Sequence, residues 1–71
     1  MNLRAALRMS EFRKARITHN NVLITVEQVE RGYMVSYSGK QVHYTTFEAL
    51  AVFLGREVVT ANWTPIQEGS N

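Results

Sequence analysis

The chain has 71 residues, 45% of them apolar and 20% charged, a composition that suits one small hydrophobic core and not a disordered segment. It contains no cysteine and no aspartate. This excludes disulfide frameworks, thiolate zinc sites and cysteine nucleophiles, and argues against sites built on paired aspartates for magnesium or phosphoryl transfer. The net charge of +2 is unevenly shared: residues 1–16 carry five cations against one glutamate, +4, and residues 17–71 carry three against five, −2.

Residues 2–14 have helix-forming composition. Leu3, Ala5, Ala6, Leu7, Met9 and Phe12 spread over a broad apolar arc at 100° per residue, with Arg4, Arg8 and Glu11 in a narrow polar sector. We therefore read residues 1–16 as a basic amphipathic helix carrying Arg4, Arg8, Arg13, Lys14 and Arg16. Met9-Ser10-Glu11 also reads as an alternative translation start, which would make residues 1–8 dispensable. Thr18-His19-Asn20-Asn21 is turn chemistry.

A β-β-β-α core is expected over residues 17–63. Residues 22–30, 33–38 and 41–47 are rich in β-branched and aromatic side chains and alternate in polarity, which predicts a three-stranded antiparallel meander. With Arg31-Gly32 and Gly39-Lys40 as the two hairpin loops, Val22, Ile24, Val26, Tyr33, Val35, Tyr37, Val42 and Tyr44 fall on one face. Thr46 then caps a short helix with Phe47, Leu50, Ala51, Phe53 and Leu54 at helical spacing, and Gly55 ends it. Leu50-Ala51 and Leu54-Gly55 share the spacing that closes the first helix of helix-turn-helix segments, but Val58-Val59-Thr60 make a poor recognition helix. Val58 and Val59 instead predict a short fourth strand, and residues 64–71 read as a flexible tail. The fold class is thus α+β.

Three groups of residues invite a chemical reading. Glu27, Ser36 and His43 are expected in one row on the outward face of the meander, but a hydrolytic triad needs the histidine between serine and acid, and here the serine is central. That face is better read as solvated, as covered by the N-terminal helix, or as a protein-binding surface formed by Glu27, Met34, Ser36 and His43, with Trp63 as a second possible anchor. Trp63 equally suits a lid on the core. His19 and His43 alone make a poor metal set, and no motif implies a cofactor.

The basic arm is the strongest functional signal. Arg4, Arg8, Arg13, Lys14 and Arg16 could neutralise several phosphates, which points to nucleic acid. The expectation is a small, non-enzymatic, cytoplasmic binding protein, forming a homodimer, with nucleic acid as leading ligand. The rival is a protein-directed regulator or inhibitor, of the accessory type carried by phages and mobile elements. No stretch approaches the roughly 20 apolar residues that span a bilayer, and Arg4 and Arg8 interrupt any secretory signal.

Overall fold

A computed structural model describes residues 1–67 of the chain. Its elements are α1 (Leu3–Met9), β1 (Lys14–His19), β2 (Val22–Val29), β3 (Gly32–Tyr37), β4 (Lys40–Tyr44), α2 (Phe47–Leu54), α3 (Arg56–Val59) and β5 (Thr64–Pro65). The five strands form one antiparallel sheet in the order β4-β3-β2-β1-β5. The class is α+β as expected, with more strands than the sequence suggested.

The N-terminal helix is shorter than residues 1–16. Asn2 caps it, its Oδ1 accepting the Ala5 N–H at 2.8 Å, and it ends at Ser10, whose backbone is extended. Arg13 takes a left-handed conformation (φ 57°), and the chain reverses into β1. Lysine, alanine and arginine favour helices, but propensity is a weak prior. In β1 the period of two decides: Ala15 is fully buried and Ile17 packs on the core, whereas Arg16 and Thr18 face solvent.

β1 and β2 are joined through Asn20-Asn21, both at positive φ (52° and 65°), as a tight two-residue hairpin requires. The next two hairpins close one residue earlier than expected, with Val29 opposite Gly32 and Tyr37 opposite Lys40, so the loops are Glu30-Arg31 and Ser38-Gly39. Moving a two-residue loop by one position shifts the register by two, and every side chain keeps its face. Val26, Val35 and Val42 accordingly align on the core side.

Both longer helices pack on that side. Leu3, Ala6 and Leu7 of α1, Leu50 of α2, Val58 of α3 and Trp63 join Ala15, Val26 and Val35 in one buried cluster. The tyrosines complete it through ring contacts: Tyr33 with Phe47 (5.7 Å, 72°), and Tyr37 and Tyr44 with Phe53 (5.7 and 5.3 Å). Since α1 lies on the same side as α2, the opposite face of the sheet is not covered by it.

Thr46 caps α2 as expected, its Oγ1 accepting the Ala49 N–H at 3.1 Å, and Gly55 follows at φ 93°. Residues 56–59 form the single turn α3 and not a strand. Helical geometry there lets Val58 enter the core and offers its carbonyl to the Trp63 indole N–H at 2.7 Å. Residues 64–67 are anchored, contrary to the expected free tail. Thr64–Pro65 pair with β1, the Ile66 N–H donates to the Lys14 carbonyl at 2.9 Å, and Gln67 bonds to Met9 and Glu11. The rest of the expected tail, residues 68–71, lies outside the described residues. Among the described residues no helix is long and apolar enough to cross a membrane.

Candidate nucleic-acid interface

The five basic residues of the N-terminal arm divide between the two faces of the sheet. Arg4 and Arg8 sit one helical turn apart on α1, and the left-handed turn at Arg13 swings a third guanidinium to the same place. Together with Leu7, Gln28, Tyr33 and Phe47 they line a cleft of about 290 Å³ that contains no carboxylate among its lining residues. Lys14 and Arg16 project from the other face, opposite Glu27 and Thr25 on β2. They do not reach the cleft.

Each cleft arginine is held differently. The Arg4 guanidinium lies 4.0 Å from the centroid of the Phe47 ring, a cation–π contact that pins it at the rim. Arg13 donates through Nη1 to the Arg8 carbonyl at 3.4 Å, and its own carbonyl accepts the Gln28 N–H at 2.8 Å. Arg8 is exposed in the last turn of α1, a position where a cation complements the helix dipole.

The turn that carries Arg13 is organised by Ser10, the one buried polar residue among the described residues (4% exposed). Its hydroxyl accepts N–H bonds from Phe12 (3.1 Å) and Lys14 (3.0 Å) and donates to the Ile66 carbonyl (2.5 Å). That is the full capacity of one hydroxyl, two lone pairs and one proton. Gln67 adds a second tie, Nε2 donating to the Met9 carbonyl at 2.9 Å and Oε1 accepting the Glu11 N–H at 3.1 Å. The cleft is thus built from both ends of the described chain.

Ser10, Gln28 and Phe47 were not among the candidate residues. Tyr33 and Phe47 carry a core signature in the sequence, and both do pack against the core. Their second role depends on α1 stopping at Met9. A helix continued through residue 16 scatters the charges around its axis and hides their convergence.

On the uncovered face the register sets Lys14, Glu27, Met34 and His43 in one row, and Arg16, Thr25, Ser36 and Gln41 in the next. Ser36 therefore does not stand between Glu27 and His43, which corrects the expected row. Its hydroxyl accepts from Gln41 Nε2 at 3.5 Å. His43 donates through Nε2 to the Arg31 carbonyl at 2.9 Å, so that nitrogen carries a proton. Trp63 is 1% exposed, which makes it a lid on the core and removes it from the surfaces a partner could touch. No three side chains of metal-ligating type gather among the described residues. The chain matches no protein-family model, and no curated protein or solved structure is significantly similar to it.

Proposed function

We propose that this chain is a small, non-enzymatic nucleic-acid-binding protein that holds neighbouring backbone phosphates at the Arg4–Arg8–Arg13 cleft. The convergence of three guanidinium groups on one concave, carboxylate-free site carries this reading. Guanidinium matches the planar, two-oxygen geometry of a phosphate, and three of them supply more charge than one core-packing role would use. Gln28 and Tyr33 add neutral hydrogen-bonding groups at the same place. Lys14 and Arg16 contribute only a longer-range attraction from the far face.

Fluorescence anisotropy with labelled single- and double-stranded DNA and RNA at about 50 and 200 mM salt tests the proposal. Three phosphate contacts predict a roughly 20- to 40-fold loss of affinity over that salt range. Arg8→Gln and Arg13→Gln should each lower the salt slope by about one, and Lys14→Gln should change it little. Flat titrations at both salts, or an equal effect of Lys14→Gln, refute the cleft as the contact point. A protein-directed regulator is the second reading, favoured by the uncovered sheet face, on which Leu23 is 56% exposed two rows away from Met34 and His43.

A further inference from the structure

The arginine cleft holds more than cations. Gln28 and Tyr33 are register partners on β2 and β3, and both line it. The Tyr33 ring meets Phe47 edge-on at 5.7 Å, and the Arg4 guanidinium carbon stands 4.0 Å from the centre of the Phe47 ring. Two kinds of surface therefore share one concavity. Arg8 and Arg13 supply charge, and a run of planar groups extends from the Gln28 amide through Tyr33 and Phe47 to Arg4. A receptor for phosphate alone has no use for the second.

We propose that the cleft takes an unpaired nucleotide of a single strand, DNA or RNA, its base stacked on the exposed side of the Arg4 guanidinium and its flanking phosphates on Arg8 and Arg13. Arg4 is exposed, so Phe47 covers one side of the guanidinium and leaves the other open. Guanidinium planes and aromatic rings are the surfaces on which proteins stack splayed-out bases. The Phe47 ring positions the group before a base arrives, so less side-chain freedom is lost on binding. The N–H edges of the same guanidinium stay available to a phosphate, and Arg4 keeps its share of the charge. Gln28, also exposed, carries an amide donor and a carbonyl acceptor, the combination that pairs with a base edge. A duplex cannot use this arrangement, because its base faces are already stacked on one another. The proposal rests on the phosphate reading above and adds the base to it.

Three labelled probes of about 12 nucleotides, titrated by fluorescence anisotropy, supply the test. They are an ordinary single strand, a fully abasic single strand and a blunt duplex, each made as DNA and as RNA. The abasic strand keeps every phosphate and loses only the bases, so its charge is unchanged. At about 200 mM salt the ordinary strand should bind at least about fivefold more tightly than the abasic strand, and more tightly than the duplex. The two single strands should share one salt slope. Arg4→Lys keeps a cation over Phe47 and removes the plane. It should lower affinity for the ordinary strand by about fivefold and leave the abasic strand and the melting temperature unchanged. Either DNA or RNA meeting these expectations upholds the proposal. Equal binding of ordinary and abasic strands in both chemistries, with a steep salt slope, overturns the stacked base and leaves the phosphate reading standing. A duplex that binds as tightly as the single strand also overturns it, as does an Arg4→Lys variant that weakens neither single strand or both alike. Flat titrations with every probe refute the phosphate reading itself, and this proposal with it.

Discussion

Replacing Ser10 with alanine should cost this protein a large part of its stability. The change removes one oxygen and strands three backbone groups: the N–H of Phe12, the N–H of Lys14 and the carbonyl of Ile66. A buried donor or acceptor left without a partner costs about 1–3 kcal/mol. Phe12 is exposed, so water can serve its N–H, and the other two groups bear the main loss. We therefore expect about 2–4 kcal/mol. A 71-residue domain has roughly 4–10 kcal/mol in total, so the variant should melt about 10–25 °C lower. Urea denaturation followed by Trp63 fluorescence measures the loss, and amide hydrogen exchange at Lys14 localises it. A loss below about 0.5 kcal/mol, or an unchanged exchange rate at Lys14, would refute the assignment of Ser10 as the organiser of this turn.

Four further substitutions or deletions have definite outcomes. Gly32→Ala should destabilise by about 3 kcal/mol or more in thermal melts, because a Cβ there lies 2.2 Å from the Tyr44 carbonyl oxygen and the residue sits at φ +124°. Gly39→Ala, with open space around it, should lose only about 1–2 kcal/mol through its φ of +76°. Trp63→Phe should cost about 2 kcal/mol by denaturation. Most of this is lost volume, since the Val58 carbonyl still accepts the Ala61 N–H at 3.1 Å. Deleting residues 1–8 removes Leu3, Ala6 and Leu7 from the core (0%, 0% and 3% exposed). At about 2–5 kcal/mol for each buried leucine, the remainder should show no cooperative unfolding transition, so these residues are not dispensable and their removal is no test of binding.

The faces of the meander were legible in the sequence because a period of two survives an error of two in register, and Val26, Val35 and the tyrosines stayed on the core side through such an error. Thr46 and Gly55 marked α2 for equally local reasons. β1 was hidden because Lys14, Ala15 and Arg16 are helix formers next to a helix, and its strand pairing is enforced by β2 and β5 from elsewhere in the chain. The strand expected at Val58-Val59 failed because a single helical turn there buries Val58 and gives Trp63 its hydrogen-bond acceptor. Two of the three cleft arginines, Arg4 and Arg8, showed in the sequence as a helical pair. Arg13 joins them only through a left-handed backbone set by Ser10 and Gln28, which no spacing rule reveals.

The meeting of the N-terminal segment with residues 62–67 has a consequence for the order of assembly. The Trp63 N–H donates to the Met1 carbonyl at 2.6 Å, and the N-terminal ammonium bonds to the Asn62 side chain. During synthesis α1 is made first, yet the partners that fasten it, residues 62–67, come more than 50 residues later. The three hairpins can close locally as they emerge and offer Ala15, Val26 and Val35 to the first helix, whereas the ties to residues 62–67 must wait until the end. A nascent chain stalled before residue 62 would therefore hold every residue that lines the cleft but lack the Ile66 and Gln67 bonds that fix the turn carrying Arg13.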